Sequence, residues 1–572
     1  MEKRWTVSAT DPAVVESLSE SLKIHPALCQ VLALRGVHDF ESARAFFKPQ
    51  LEDLHDPFLM KDMDRATNRI IQAMKNKEKI LVYGDYDVDG TTSVACMYEF
   101  LCSIYISTNL DYYVPHRYKE GYGISCKGLE YARDNGFSLV VALDCGIKSN
   151  EIIAQAAGWG IDFIVCDHHL PGLELPPAVA ILNPKQAGCP YPFKELCGCG
   201  VGFKLICALA DRLGMAPELR FVYLDLVATA IAADIVPMTG ENRVLAYFGL
   251  LRVNQHPSTG MRALIDVSGY QKELTISNVV FMIAPRVNAA GRMDDARIAI
   301  QLFIEKDYEK ARQLAIQLQE NNTDRREADA LITEEALEMI RSDQQLAEGK
   351  STVVFQPHWH KGVIGIVASR LIEHYYRPTI VLTESGGILS GSARSIPGFN
   401  LHEGLDQCSD LLLGFGGHYF AAGMTLASEQ LAAFRDRFEK IVRDSVPESL
   451  FAPEIRIDAE IRFPDITQKF YRILTRMEPF GPDNLTPVFI SRGVRDTGKS
   501  SLVKEKHVRF SLQQQGVVLT GIGFNMGDKI GLVRSGQPLD IVYTLDENEW
   551  NGSKTIQLKM IDLREQSVVG SH

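Results

Sequence analysis

Three aspartates stand at alternate positions in Gly84-Asp85-Tyr86-Asp87-Val88-Asp89-Gly90, directly after the apolar run Ile80-Leu81-Val82-Tyr83. Carboxylates this close repel one another unless cations or basic groups balance them. Asp-x-Asp-x-Asp-Gly also opens a calcium loop, but that loop needs a Glu six positions after its Gly, and Cys96 stands there. A solvated acidic turn fits poorly with the apolar lead-in. Cys166-Asp167-His168-His169 ends a second apolar run, Asp144 in Ala-Leu-Asp-Cys-Gly ends a third, and Asp234 lies in Ala-Ala-Asp-Ile-Val-Pro. Together they offer about four carboxylates and one or two imidazoles, enough for two divalent cations sharing a bridging carboxylate. Hard oxygen ligands with imidazole suit manganese or magnesium rather than a thiolate metal. Two such ions ~3.5–4 Å apart are the usual equipment for hydrolysing a phosphoric ester or anhydride, so the expected substrate is a phosphate compound.

Four further stretches could hold its anionic oxygens. They carry His116, Arg117 and Lys119; Arg286, Asn288 and Arg292; Ser390, Ser392 and Arg394; and Gly416, Gly417 and His418. Small residues let backbone N–H groups approach a phosphate, and Arg engages it bidentately. For the Gly-Gly-His stretch alone, a surface turn is the better reading.

The elements that position these residues follow from periodicity. Residues 1–75 read as an N-terminal segment of short helices, with Asp11-Pro12 as a start signal. From Lys79, buried-strand runs alternate with helical stretches, which predicts a parallel sheet covered by helices over 76–304. Ligands bind at the carboxyl ends of such strands, where the polar clusters fall. Residues 305–349 read as a long connecting helix, broken near Asn321-Asn322. A second α/β unit spans 350–447. Short alternating strands over 448–572 suggest a five-stranded oligonucleotide-binding barrel. Residues 451–572 hold sixteen Lys+Arg and fifteen Asp+Glu. Arg492, Arg495, Lys499, Lys504, Lys506 and Arg509 there face only Asp496 and Glu505, a candidate track for a strand's backbone.

The 572 residues carry a net charge of −12, and 46% are hydrophobic and 23% charged, the balance of a folded globular chain rather than a disordered one. No apolar run approaches the ~18 residues of a membrane span, and the start has no secretory signal; a cytoplasmic protein is expected. Eleven cysteines without a CxxC, including Cys189, Cys197, Cys199 and Cys207, read as reduced structural thiols.

At this point a resemblance is visible. GDYDVDG, LDCGI, CDHH and AADIVP, in this order, resemble the DHH phosphoesterase superfamily, and FGGHYFAAGMTL resembles the Gly-Gly-His motif of its associated DHHA1 domain. PHRYKEGYGIS, PRVNAAGRM, SGSARS and EPFGPDNLTPVF make the chain look like its single-strand-specific bacterial exonucleases. The resemblance implies a DHH-type parallel-sheet domain, a DHHA1-like second domain and an OB-like barrel. It implies a 5′→3′ exonuclease releasing mononucleotides from single-stranded DNA with two Mn2+ or Mg2+ ions, in repair and recombination. Carried over by motif, Asp87, Asp89, Asp144, His168 and Asp234 match metal ligands, Asp144 being the bridge, and Asp85 matches a ligand or a supporting group. His169 matches the partner of the scissile phosphate. Arg117, Ser392 and Arg394 resemble the pocket for the 5′ end, and His418 a phosphate contact. The family works as a monomer beside single-strand-binding protein and a RecQ-type helicase. Gly481-Pro482-Asp483-Asn484-Leu485 departs from the common Gly-x-Gly-Asn-Pro. A superfamily phosphodiesterase for short oligonucleotides or cyclic dinucleotides would share every metal ligand but has no use for 448–572. A catalytically silent DNA-binding scaffold would have lost the ligands, and all five are present.

Overall fold

The computed structural model describes residues 3–550 and 552–566. Its catalytic sheet is five-stranded and wholly parallel, in the order Leu110–Tyr113, Lys79–Gly84, Phe137–Leu143, Asp162–Cys166, Ala180–Leu182. Period-two alternation sends Leu81, Tyr83, Val140 and Ala142 to one face, under helices Cys126–Asp134 and Asn150–Gly158. Ile80, Val82, Leu139 and Val141 go to the other, under helices that include Met63–Asn76, Val88–Ile104 and Gly198–Arg212. Both faces are covered, which is why these strands read as near-continuous apolar runs. The chain adds its second strand on one side of the first and its third on the other. The crevice opened by that reversal lies at the carboxyl ends of Lys79–Gly84 and Phe137–Leu143, where Asp85 and Asp144 follow.

Helix Tyr308–Ser342 runs unbroken for 35 residues, roughly 50 Å at 1.5 Å per residue. The expected break at Asn321-Asn322 is absent. Asn322 is buried and its side-chain oxygen accepts from Arg325 one turn on, at 2.7 Å, so it does not compete for the backbone. Ala311, Ala315 and Leu318 belong to the catalytic core, whereas Ile332, Ala336, Leu337 and Ile340 pack with Val363, Val367 and Leu371 of the second domain. One helix therefore shares its two halves between two cores. The second domain's sheet runs Gly414–Gly417, Ala421–Leu426, Ile388–Arg394, Thr379–Ser385, Thr352–Phe355, and only its last pair is parallel.

In the C-terminal domain, strand Phe489–Asp496 pairs with Leu539–Trp550, which leads through Ser553–Glu565, Val517–Gly523 and His507–Gln514 back to Phe489–Asp496. This arrangement is barrel-like. The opening of the chain differs from the helical reading. Arg4–Val7 is a strand paired in parallel with Glu454–Ile457, a partner no local pattern reveals. Helices Pro12–Leu22, Pro26–Leu34 and Phe40–Phe47 then bury Leu18, Leu28, Leu32 and Ala43 in the same core as Phe470, Phe489, Phe510 and Tyr543. Helix Met63–Asn76 joins the catalytic core instead.

The barrel is keyed to the catalytic domain by Arg243. Its buried guanidinium donates to the carbonyls of Phe46, Met477, Glu478 and Pro479, and Met238 N–H donates to Pro482 at 2.7 Å. Asp483 adopts φ 59° where the common motif has Gly, a conformation Asp tolerates better than most residues. The departure from the motif therefore leaves the turn intact. The basic track is thinner than its sequence suggests: Arg492 is held by Glu460 and Asp540, and Arg495 donates to Gly536. Lys499, Lys504, Lys506 and Arg509 are exposed.

Because the N-terminal helices share the barrel's core, deleting 448–572 alone strands their apolar faces. A chain of residues 1–447 is expected to bind a hydrophobic dye and aggregate, whereas one of residues 48–447 stays monodisperse with an intact thermal transition. Dye binding and light scattering on the two chains check this.

Candidate metal centre and anion pocket

Four segments deliver the acidic cluster to the crevice. Asp87 caps helix Val88–Ile104, accepting from Gly90 N–H at 3.0 Å, and this turn buries Asp85 and Asp89. Asp89 in turn accepts from Gly198 and Cys199 N–H at 2.6 and 2.7 Å, at the start of helix Gly198–Arg212, where a carboxylate complements the helix dipole. Gly198 is obligatory, because a Cβ there would lie 2.5 Å from the Asp144 side chain. Asp144 sits at φ 58°, which turns the chain sharply off its strand. Asp234 arrives from a helix rather than a strand: it caps the carboxyl end of helix Leu224–Ala233.

His168 Nε2 is the meeting point, 3.3 Å from Asp144, 3.6 Å from Asp234 and 3.9 Å from Asp89. Burial, reinforced by Asp87, pushes the Asp89 carboxyl up to about 7. Burial with Asp89 and Asp87 takes Asp234 to about 9, and the same causes raise Asp85 and Asp144 well above the carboxylate range. Burial holds His168 down at about 3, so its imidazole is neutral, the form that ligates metals. Asp85 Oδ1, Asp144 Oδ1, Asp234 Oδ2 and both His168 ring nitrogens are buried without a hydrogen-bond partner. Orphaned buried acceptors of this kind are rare. Asp89, His168 and Asp234 bring ligand atoms within 4.8 Å of one another, as do Asp144, His168 and His169. The donor set fits divalent cations, and Asp85, Asp87, Asp89, Asp144, His168 and Asp234 are the residues that could hold them.

Sequence reasoning did not give Asp167 a role. Its Oδ1 accepts from His168 and His169 N–H and lies 2.7 Å from His169 Nδ1, while Oδ2 accepts from Ile147 N–H. Burial opposes a charge on His169, but the Asp167 contact and charge outweigh it and raise its pKa. Tyr122 was also missed; its hydroxyl donates to the Asp144 carbonyl at 3.1 Å and lies 3.3 Å from His169 Nδ1. Only its position inside the Gly-punctuated PHRYKEGYG stretch could have marked it.

Beside the metal centre lies a cluster of guanidiniums. Arg117 stacks on Tyr86 with its carbon 4.7 Å from the ring centroid, and Tyr86 separates Asp85 from Asp87. Arg292 donates to the Gly362 carbonyl at 3.0 Å, and Arg394 donates to Ser392 Oγ at 3.1 Å. Burial and the Arg117 charge lower Arg292 to about 10 and lower Arg394 as well. Arg117 and Arg292 come from the catalytic domain, and Ser392 and Arg394 from the strand Ile388–Arg394. Gly365 lets the helix Ile364–Tyr375 approach, since a Cβ would lie 2.9 Å from Ser392 Oγ.

The remaining sequence candidates lie outside this cluster. PRVNAAGRM is helix Ala284–Met293 rather than a loop. Arg286 is engaged by Gln319 and the Met282 carbonyl, and Asn288 is half-buried one turn before Arg292. His418 stands exposed at the turn of the Gly414–Leu426 hairpin. A cavity of about 1000 Å³, lined by Leu250, Leu251, Lys469, Arg472, Ile473 and Arg476 among others, sits between the catalytic domain and the barrel and contains none of the metal-site residues.

Three family profiles match, without overlap: the DHH family N-terminal domain over 79–231, the DHHA1 domain over 348–444 and the RecJ OB domain over 457–562. The chain is 40% identical to the single-stranded-DNA-specific exonuclease RecJ of Bacillus subtilis, over 98% of this chain and 70% of that one. It is 33% identical to RecJ of Escherichia coli, over 95% and 97%. The chain belongs to the RecJ family. The crystal structure of Thermus thermophilus RecJ in complex with Mn2+ superposes with a TM-score of 0.85 at 28% identity, covering 99% of this chain and 80% of that one. The same enzyme in complex with Mg2+ gives 0.78 at 27%, over 99% and 79%. The RecJ family is the one its motifs resemble, and the DHH sheet, DHHA1 domain and OB domain are those expected.

Carboxyls raised on folding stabilise the folded chain only while protonated. That contribution is full below the ordinary value of 3.8 and is lost as pH rises through about 7 for Asp89 and about 9 for Asp234. Chelated protein is therefore expected to melt at progressively lower temperature from pH 5 to pH 9. The stabilisation by added Mn2+ should grow over the same interval, because the ion binds the deprotonated ligands. Differential scanning calorimetry with chelator and with Mn2+ across this range checks it.

Proposed function

We propose that this chain is a metal-dependent exonuclease that hydrolyses single-stranded DNA in the 5′→3′ direction to 5′-mononucleotides. One observation carries the reading: a carboxylate–imidazole set with orphaned ligand atoms lies beside a cluster of arginines contributed by two domains. Asp87, Asp89, Asp144, His168 and Asp234 would hold two Mn2+ or Mg2+ ions, with Asp144 between them and Asp85 supporting. Such a pair lowers the pKa of a bound water and offsets charge on the reacting phosphate.

The chain's own groups do the rest. Asp167 fixes the orientation of His169 and favours its charged form, so that His169 donates to a non-bridging oxygen of the scissile phosphate. Arg117, Arg292, Ser392 and Arg394 hold the 5′-terminal phosphate. Its position next to the metal centre then determines which bond is cut. Arg286 and Asn288, on the same helix as Arg292, contact the strand beyond the terminal phosphate, and His418 contributes from the second domain. The barrel's exposed Lys499, Lys504, Lys506 and Arg509 contact the strand further along.

The metal centre and the arginine cluster are both complete within one chain, which supports action as a monomer. Among the described residues, no helix is long and apolar enough to cross a membrane, and we propose that the chain acts on DNA in the cytoplasm. Single-strand-binding protein and a RecQ-type helicase are the partners proposed for it in repair and recombination.

Asp144→Asn keeps the left-handed backbone, which Asn tolerates, but removes the bridging charge. Manganese-dependent hydrolysis is expected to fall by roughly 10²–10³-fold or more, while affinity for a single strand in calcium persists; turnover and binding assays on one preparation check both. For polarity, a bulky 5′ block should slow degradation and a 3′ block should not. Equal rates on free and 5′-blocked strands, with a protective 3′ block, would reverse the assignment.

A further inference from the structure

Ile235 follows the metal-site residue Asp234 and has φ 59°. Side chains branched at Cβ are the least tolerated at positive φ. The residue just past a helix end that takes this conformation is ordinarily Gly or Asn. The turn itself is required: helix Leu224–Ala233 ends at Asp234, Val236 is buried, and Met238 must reach Pro482 to anchor the barrel. The fold thus calls for Gly or Asn at 235, and the sequence supplies Ile. Among the described residues no packed core rewards that choice. Ile235 is 68% exposed and belongs to none of the packed cores among the described residues. Its Cα is ~3.8 Å from that of Asp234, on the segment that joins the metal centre to the barrel.

It also has company. Leu170 follows His169 and is exposed, as is Tyr122, whose hydroxyl contacts Asp144 and His169. Exposed apolar or aromatic side chains thus stand directly after Asp234 and His169 and against Asp144 in this charged site. Carboxylates, imidazoles and guanidiniums account for phosphate, metal and water, but leave unassigned what recognises the neutral parts of a nucleotide. We infer that Ile235 is a substrate contact, packing against the base or deoxyribose of the strand where it leaves the metal centre towards the barrel. This rests on the nuclease reading above.

The test exploits the strain. Ile235→Asn suits the backbone and removes the apolar contact; Ile235→Val keeps the contact. Affinity for a 5′-phosphorylated oligothymidylate is measured in calcium, together with melting temperature, and KM and kcat are measured in manganese. For Ile235→Asn we expect a melting temperature equal to or above that of the native protein, with affinity at least about fivefold weaker and the loss falling on KM. Ile235→Val should bind within about twofold of native. An Asn variant that binds like the native protein overturns the contact, and one that melts lower shows that Ile235 serves the fold instead. Native protein that fails to bind the strand overturns the nuclease reading, and this inference with it.

Discussion

Burial of several carboxyls in one crevice, sharpened by their mutual repulsion, governs this molecule. Asp85, Asp89 and Asp144 are buried and Asp234 is partly so, and Asp89, Asp144 and Asp234 lie within reach of one neutral imidazole. Arg117 and Lys185 favour the charged forms of Asp85 and Asp234, but burial and the neighbouring carboxylates outweigh them, and the Arg117 guanidinium is turned onto the face of Tyr86. A chain that concentrates acids in this way carries an instability that protonation or bound cations remove. Everything around the crevice preserves it: the N–H groups of Gly198 and Cys199 on Asp89, the absent Cβ at Gly198, the left-handed turn at Asp144.

The opposite charge is gathered one step away by a different device. Arg117 and Arg292 come with the catalytic domain, and Arg394 arrives only because the second domain is docked against it. Helix Tyr308–Ser342 sets that docking by burying its first half in one core and its second half in the other. Asp329 on this helix fixes the second domain through Arg370, both carboxylate oxygens accepting at 2.8 and 2.9 Å. An anion entering the cleft meets guanidiniums whose charges already repel one another, so its binding relieves strain on both sides at once. Rigidity in the connecting helix serves that geometry.

The barrel is tied in by a third arrangement, polar rather than apolar. Arg243 satisfies four carbonyls from segments far apart in sequence, and Asn484 donates to two of the same ones, Met477 and Pro479. Helices Pro12–Leu22, Pro26–Leu34 and Phe40–Phe47 complete the barrel's core from the other end of the chain. Catalytic domain, second domain and barrel are thus held by chain elements that each belong to two of them.

Much of this was legible in the sequence, for identifiable reasons. Buried parallel strands are continuous apolar runs, and the acids that follow them must fall at a sheet edge, so GDYDVDG, LDCGI and CDHH place their acids and imidazoles together from the sequence alone. The helix Tyr308–Ser342 could be seen from its periodicity. Its continuity could not, because Asn322 is tolerated only through its bond to Arg325. Likewise Asp234 reads as a strand-end acid, Arg4–Val7 has no local partner, and Arg492 looks free until Glu460 and Asp540 come beside it. Local pattern records what a residue does with its neighbours in the chain. It is blind to partners brought by folding, and those partners decided which arginines gather beside the carboxyls and how Asp167 holds His169.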